Sequence, residues 1–196
     1  SMVFVGNTQH SVPHMLKHSD LFDELPESYH DSAFLDRIHF YIAGWEVDII
    51  RGEMFSQGYG FVVDYLAEVL RALRSHDYSD RYKAYFTLSS DISTRDRDAI
   101  NKTFSGLMKI LYPDGQASEN DIQELLDLAM EGRKRVKDQL LRIDNTYSKV
   151  SFSYRNQRDE IHHITTKEEE AYPNYYHKKT NTSDMAISES YQDDAL

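Results

Sequence analysis

An apolar spacing typical of amphipathic helices runs through residues 59–143 and constrains the fold more than any other feature of the sequence. Within residues 59–75, apolar side chains recur at positions 62, 65, 66, 69 and 73. Each of the three stretches that follow is preceded by a residue able to cap a helix. The capping residues are Ser79 for the first stretch, Ser93 or Thr94 for the second, and Ser118 together with Asp121 for the third. Four helices with short connections predict a small helical bundle.

Two short apolar runs near the start of the sequence have the character of buried strands. Met2–Val5 ends at Gly6-Asn7, and Ile38–Ile42 follows Arg37. Uninterrupted apolar runs are expected of strands covered on both faces, as in a parallel sheet. Two strands this short make a poor sheet by themselves, so we expect them to belong to a larger one.

The period of the sequence changes after Asn145. Residues 150–154 alternate between apolar and polar side chains, and residues 161–165 could pair with them as a β-hairpin. The composition then becomes polar without an apolar period, which predicts a disordered tail over residues 166–196. The expected fold is therefore mainly α, with two short strands, a four-helix bundle, a hairpin and a disordered tail.

Charge and composition exclude several classes of protein. The net charge of -11 argues against a protein that coats nucleic acid through bulk charge. The absence of cysteine excludes disulfides, cysteine zinc sites and a thiol nucleophile, and it fits a reducing compartment. The sequence has neither an apolar run of about 20 residues, as a membrane span needs, nor a signal peptide. We therefore expect a cytoplasmic protein without a membrane partner.

Three polar residues lie where ligand-binding side chains often occur. Asn7 ends the first apolar run, Arg37 precedes the second, and Arg95 lies in the first turn of a capped helix. Polar side chains at strand ends reach into the ligand crevice of open α/β sheets, and an arginine can neutralise charge on a transferring phosphoryl group. Plainer interpretations are a turn at Asn7, a strand-end ion pair at Arg37 and a salt-bridged helix start at Arg95.

Three stretches carry a family resemblance. FVGN occurs at residues 4–7, AFLDRIHFYIAGWE at 33–46 and STRDRDAINKTFSGLMKIL at 93–111. Together they resemble the Lon-like AAA+ proteins of bacterial BREX phage-defence systems, the BrxL family, over about residues 2–155. The resemblance implies four parts: a C-terminal remnant of the AAA+ α/β core (1–53), the helical lid (54–144), the start of a Lon-like C-terminal domain (145–165) and the disordered tail (166–196).

The resemblance also implies a role for each polar residue. Asn7 would be sensor 1, which positions the attacking water. Arg37 would be the arginine finger, which acts in trans on the γ-phosphate held by a neighbouring subunit of a ring. Arg95 would be sensor 2, which couples the lid to the nucleotide. ATP and Mg²⁺ are the cofactors implied for the full-length family, and the implied partners are a ring of like subunits, DNA and other BREX components.

Parts that ATP hydrolysis requires are missing from the sequence. It contains no G-x-x-x-x-G-K-[ST] phosphate-binding loop and no apolar strand that ends in Asp-Glu. No Ser-Lys protease dyad of the Lon type can be assigned. We therefore expect a partial ATPase subunit that binds no nucleotide and is inactive alone. The alternative is a stand-alone helical interaction module that docks on a partner ATPase ring or a DNA-associated complex.

Two side-chain clusters allow weaker predictions. One is a basic cluster in the last bundle helix, which consists of Arg133, Lys134, Arg135 and Lys137. The cluster is either a solvated helix face or a patch that contacts DNA phosphates, and the resemblance implies the DNA-contacting patch. The other is His10, His14 and His18, whose spacing could place three imidazoles on one helical face. Pro13 interrupts that helix, so we expect no metal site.

Overall fold

The computed structural model of the protein describes residues 2–60 and 62–177. This part of the chain is mainly α, as the sequence predicts. Its α-helices are α1 (Val12–His18), α2 (Ser32–Leu35), α3 (Val63–Ala72), α4 (Thr94–Leu111), α5 (Glu119–Ile143), α6 (Lys167–Ala171) and α7 (Pro173–Tyr176). Its strands are β1 (Phe86–Leu88), β2 (Ser153–Asn156) and β3 (Ile161–His163).

Helices α4 and α5 pack against each other at the centre of the fold. Both begin at predicted caps: Ser93 Oγ accepts from the Asp96 N–H at 3.2 Å, and Ser118 and Asp121 form a capping box. Their apolar stripes are buried in one core, which includes Ile100, Phe104 and Met108 of α4 and Ile122, Leu126 and Met130 of α5. Burying side chains of this size contributes about 1.5–3 kcal/mol each, so this pair of helices anchors the fold.

A three-stranded antiparallel sheet adds aromatic side chains to this core. Strand β2 lies between β1 and β3, so that Tyr154 pairs with both Leu88 and His162. The predicted hairpin is therefore confirmed. The helix predicted after Ser79 is replaced by a 3₁₀ turn at Arg81–Ala84, followed by β1. Aromatic and β-branched residues favour a strand when a partner is available, and β2 provides that partner.

The strand predicted at Met2–Val5 does not form, and this part of the prediction was wrong. Met2, Val3 and Val5 are 68%, 84% and 95% exposed. A strand is stable only when its backbone groups pair with a neighbouring strand, and no described segment pairs with this run.

The strand predicted at Ile38–Ile42 was also wrong. The run is extended but unpaired, and helix α5 holds its backbone in place of a sheet. Arg133 Nη1 donates to the Ile38 carbonyl at 2.5 Å, and the Tyr41 N–H donates to the Gly132 carbonyl at 3.2 Å. Backbone groups leaving water need some partner, and here the helix supplies it.

Helix α3 departs from the expected four-helix bundle. It occupies the predicted stretch, but none of its side chains is buried. Val63, Tyr65 and Leu66 are 75%, 62% and 44% exposed, and the chain enters the interior just after the helix, at Leu73. The centre of the bundle is therefore the α4–α5 pair together with the sheet.

The segment 166–177, expected to be disordered, is packed. It forms α6 and α7, and Tyr176 is completely buried beside Met15 and Leu16 of α1. Arg142 also donates to the Tyr175 and Tyr176 carbonyls at 2.8 and 3.0 Å. The polar composition misled the prediction because charged partners on α5 hold this segment. Residues 178–196 of the predicted tail lie outside the described residues.

The predicted domain boundaries stay a prediction. The pairing of β1 with β2 joins the predicted lid to the segment that follows it. Across the described part of the chain, no helix has the length and apolar character needed to span a bilayer.

Candidate functional site

Arg37, the candidate arginine finger, lies on the surface just beyond helix α2. Asp31 caps that helix by accepting from the Ala33 N–H at 3.1 Å. The Arg37 N–H donates to the Phe34 carbonyl at 2.9 Å, and its guanidinium donates to the Ala33 carbonyl. The backbone of Arg37 is thus fixed to α2 while its side chain is exposed to solvent.

Asp36, its neighbour in sequence, has the opposite environment. It is 4% exposed, and its carboxylate faces three cations from two helices. Arg133 Nη2 lies 2.8 Å from Asp36 Oδ1, Lys137 Nζ lies 3.7 Å from the same oxygen, and Arg95 pairs with Oδ2. We call Asp36, Arg95, Asp96, Arg133 and Lys137 the Asp36 network.

Arg133 is the buried centre of the Asp36 network. Its side chain is 0% exposed and uses three nitrogens as donors. Nε donates to Asp96 Oδ1 at 2.7 Å, Nη2 to Asp36 Oδ1 at 2.8 Å, and Nη1 to the Ile38 carbonyl at 2.5 Å. A buried guanidinium is tolerated when its donors and its charge are both matched, and two carboxylates match them here.

Arg95, the candidate sensor 2, joins the network from the first turn of α4. Its pKa is raised above the ordinary arginine value by the hydrogen bond and the charge of Asp36. Unlike Arg133, its side chain is 51% exposed. The structure therefore brings Arg95 and the residue next to Arg37 into direct contact.

Asn7, the candidate sensor 1, lies apart from this network. It is exposed in the irregular segment before α1. In that segment, the Phe4 ring centroid lies 5.1 Å from Tyr29 and 6.1 Å from Phe34, and the Gln9 N–H donates to Glu24 Oε1 at 2.6 Å. No described hydrogen bond or ion pair links Asn7 to Arg37 or Arg95 in residues 2–60 and 62–177.

The basic cluster predicted as a surface patch is buried, which corrects its expected exposure. The relative exposures are 0% for Arg133, 6% for Lys134, 3% for Arg135 and 8% for Lys137. Charged side chains lose hydration on burial and need carboxylate or carbonyl partners in return. Their part in DNA binding stays a prediction, while their observed contacts stabilise the fold.

Lys134 and Arg135 dock the C-terminal segment onto α5. Lys134 Nζ lies 2.5 Å from Asp138 and 2.6 Å from Glu169 of α6. Arg135 Nε donates to Glu168 at 2.9 Å. Charge-assisted bonds of this kind are the stronger class of hydrogen bond, which explains why a polar segment is ordered here.

The potential metal ligands of two side-chain clusters are engaged in ion pairs or ring contacts. Glu46, Glu131 and Glu168 bring ligand oxygens within 4.8 Å of one another, but all three pair with Arg135, and Glu46 also pairs with Lys167. The rings of His10, His14 and His18 contact one another in series, with centroids 4.3 and 4.6 Å apart and planes tilted by 32° and 42°. His10 precedes α1, which begins at Val12 with proline in its first turn.

The residues present fit only part of a nucleotide site. Arg37 and Arg95 offer solvent-accessible guanidinium donors, which suit phosphate oxygens. The sequence contains neither the phosphate-binding loop nor the Asp-Glu pair that holds magnesium. The arrangement suits charge neutralisation at a phosphate whose other contacts lie elsewhere.

Sequence reasoning missed the Asp36 network, although one signal for it existed. Arg133 follows Ala129 by four residues and precedes Val136 by three, and both neighbours are completely buried. This spacing places Arg133 on the buried stripe of α5. An arginine on an apolar stripe predicts a buried carboxylate partner, but no local pattern indicates which acidic residue supplies it.

Comparison with known proteins gives one family match and two curated relatives. Residues 1–153 match the family described as Lon-like protease BrxL-like, ATPase domain. A Lon-like protease BrxL of Bacillus cereus (strain H3081.97) is 49% identical over 156 residues, which are 79% of this chain and 23% of that protein. A Lon-like protease BrxL of Escherichia coli O9:H4 (strain HS) is 43% identical over 155 residues, which are 79% of this chain and 22% of that protein.

The chain thus spans less than a quarter of the length of these curated relatives. The match includes Asn7, Arg37, Arg95 and the whole Asp36 network. It ends at residue 153, within β2, before β3 and the two C-terminal helices. This chain belongs to the family of BrxL-like ATPase domains.

Proposed function

We propose that this chain acts as the sensor and lid segment of a Lon-like AAA+ ATPase of a BREX anti-phage system. Arg37 acts in trans on the nucleotide of a neighbouring subunit in a ring, and Arg95 acts as sensor 2. One observation carries the proposal. The carboxylate of Asp36 is anchored in the interior by Arg133, and the adjacent Arg37 is exposed on the surface, where its guanidinium donates to the Ala33 carbonyl of α2.

An arginine that acts on a neighbouring subunit needs this combination. Its guanidinium must be accessible from outside its own subunit, and its backbone must be held so that the guanidinium reaches a defined position. Asp36 supplies the anchor, since its partners Arg133 and Lys137 both belong to helix α5. We place the protein in the cytoplasm.

Within this proposal, ATP and Mg²⁺ are held mainly by the parts of the ATPase that supply the phosphate-binding loop and the acidic pair. Arg37 and Arg95 would contact phosphate oxygens, and bound magnesium would neutralise phosphate charge. Asn7 would orient the attacking water, a role supported by the family resemblance. The isolated chain is then inactive, and its purified form should show no ATP hydrolysis above that of an Arg37→Ala variant.

A chimera tests the proposal directly. The segment of the Bacillus cereus relative that matches this chain is replaced by the matching residues of the chain, and ATP hydrolysis is measured. Loss of an arginine finger lowers turnover by about 10³–10⁵-fold, so we expect Arg37→Ala to abolish hydrolysis in the chimera. Arg71→Ala is the matched control, because Arg71 is 72% exposed and pairs with Glu68, three residues before it on the same helix.

An active chimera that tolerates Arg37→Ala as well as Arg71→Ala would refute the trans-acting role. A mixing experiment tests whether Arg37 acts across subunits. The Arg37→Ala chimera is mixed with a second chimera whose phosphate-binding loop is disabled. If Arg37 acts across subunits, the mixture regains hydrolysis, because an intact Arg37 then faces an intact phosphate-binding loop.

A second candidate function is an interaction module that docks on a partner ATPase ring or a DNA-associated complex. The observation that favours it is a series of exposed apolar side chains between residues 42 and 70: Ile42, Val47, Ile49, Ile50, Phe55, Val62, Val63, Tyr65 and Leu66. Exposed apolar surface of this extent marks interaction sites. Co-elution of the chain with the full-length relative, lost on replacing Ile49 and Ile50 by serine, would support docking.

A further inference from the structure

The three cations around Asp36 differ in their access to solvent. The side chain of Arg133 is 0% exposed and that of Lys137 is 10% exposed, whereas that of Arg95 is 51% exposed. Arg133 also holds Asp96 and the Ile38 carbonyl, which fixes it in place. Arg95 is therefore the one cation of the Asp36 network that faces both the interior and the solvent.

If Arg95 moved away from Asp36, the Asp36 carboxylate would still be paired with two cations. Arg133 Nη2 at 2.8 Å and Lys137 Nζ at 3.7 Å both face Oδ1 of the carboxylate. The severe cost of an unpaired buried charge is then avoided. Because half of the Arg95 side chain is exposed, a ligand of higher negative charge can approach the guanidinium from solvent and compete with Asp36 for it.

We propose that Arg95 alternates between Asp36 and the phosphate groups of a polyphosphate ligand, and that Asp36 transmits this exchange to Arg37 as a positioning residue. This inference rests on the proposed function, because it links the candidate sensor 2 to the candidate arginine finger. The two residues then act as one unit, with Asp36 as their shared contact.

The route from Asp36 to Arg37 is short. Asp36 is the C-terminal cap of α2, where its N–H donates to the Ser32 carbonyl at 2.9 Å. Arg37 is the next residue, and its N–H donates to Phe34 of the same helix. A change in the forces on the Asp36 carboxylate therefore acts on the turn that orients Arg37. Because such coupling is reciprocal, the position of Arg37 also alters the affinity of Arg95 for phosphate.

Titration of the ¹⁵N-labelled 196-residue chain with sodium tripolyphosphate tests the exchange. NMR follows the Nε–H signal of Arg95 and the backbone amide signal of Arg37. We expect both signals to move with the same apparent Kd. Arg95→Ala should remove the response of the Arg37 amide, and Asp36→Asn should lower the Kd about fivefold or more, since a competitor for Arg95 is gone.

The matched control is Lys102→Ala, which removes one positive charge from α4. Lys102 pairs with Asp98 in an exposed i,i+4 ion pair, so this variant should keep both responses and the wild-type Kd. If Asp36→Asn fails to fold, Arg95→Ala still tests the inference. We expect this variant to fold, because Asp36 keeps its partners Arg133 and Lys137.

Two results would overturn the inference. One is that tripolyphosphate does not bind, or that Arg95→Ala weakens its binding no more than Lys102→Ala does. The other is movement of the Arg95 signal while the Arg37 amide stays unchanged. The proposed function fails separately, when an active chimera tolerates Arg37→Ala, whatever the tripolyphosphate titration shows.

Discussion

Arg133 Nη2 lies 2.8 Å from Asp36 Oδ1, and this buried ion pair joins residues 97 positions apart in the sequence. It fastens the segment that carries Arg37 to the second half of helix α5. The segment forms no strand, so its position depends on contacts with α5, which include the Gly132 carbonyl, and not on a sheet. The stability of this contact is therefore central to any role of Arg37.

Removal of Arg133 should destabilise the protein strongly. Arg133→Met keeps most of the side-chain volume but leaves Asp36 and Asp96 without their common partner. Breaking a buried ion pair on one side costs about 3–5 kcal/mol, and we expect the free energy of unfolding to fall by that amount in urea titrations. Lys102→Met, at an exposed ion pair, should change it by less than about 1 kcal/mol. Equal effects would show that the network contributes no special stability.

Gly132 provides a test of how the Arg37 segment packs on α5. A Cβ at Gly132 would lie 2.1 Å from two ring atoms of Phe40, whereas a Cβ at Gly106 of α4 would meet nothing within 4 Å. Alanine favours helices over glycine by about 1 kcal/mol, and overpacking costs about 1–3 kcal/mol. We expect Gly106→Ala to raise the melting temperature and Gly132→Ala to lower it.

The Phe40 ring is the cause of the expected difference between the two glycines. Adding Phe40→Ala to Gly132→Ala removes the clash, so the double variant should be no less stable than Phe40→Ala alone. Two glycine substitutions with the same effect on melting temperature would contradict the observed packing of the segment on α5.

Local patterns in the sequence predicted the parts of the fold that depend on local forces. The caps at Ser93 and Ser118, helices α4 and α5, and the hairpin follow from propensity and periodicity. The failures at Met2–Val5 and Ile38–Ile42 have one cause, since strand formation depends on a distant partner that no local pattern reveals. The packed segment 166–177 failed for a related reason: its carboxylates pair with Lys134 and Arg135, which precede it by more than 30 residues.

The candidate site was predictable only in part. The family resemblance selected Arg37 and Arg95, and the structure adds that Asp36, the residue before Arg37, pairs with Arg95. The charge of the basic cluster predicts a surface position, whereas the position of Arg133 on the buried stripe of α5 indicates the interior, as the structure shows. The type of a side chain indicates whether it tends to be exposed or buried. Its position on the helix and its partners elsewhere in the chain determine whether it is buried in the fold.

The C-terminal helix α6 should report its docking through Trp45, which is the single tryptophan of the chain. Trp45 Nε1 donates to Glu168 Oε1 at 2.6 Å, and Glu168 also accepts from Arg135 at 2.9 Å. Glu168→Ala removes both bonds, so we expect Trp45 emission to shift to longer wavelength as the indole becomes hydrated. Glu170→Ala, on the exposed side of the same helix, should leave the emission unchanged. An unaltered spectrum in Glu168→Ala would contradict the docking.

Acid should weaken the cap of helix α5 in a defined way. The Ser118 hydroxyl and N–H both donate to the Asp121 carboxylate, at 2.7 and 2.8 Å. These bonds, the hydroxyl first, hold the pKa of Asp121 below its ordinary value of 3.8. The stabilisation is therefore fully present above pH 3.8 and is lost as the pH falls through the lower, folded-state value.

A carboxyl ¹³C titration measures this directly, and two serines provide crossed controls. Ser118→Ala should raise the pKa of Asp121 part of the way to 3.8, because the backbone N–H remains as a donor. Ser79→Ala should instead raise the pKa of Asp77, which the backbone N–H and then the hydroxyl of Ser79 hold low. Each substitution should leave the other aspartate unchanged. If the pKa of Asp121 is the same in Ser118→Ala as in the wild type, the capping box does not determine that pKa.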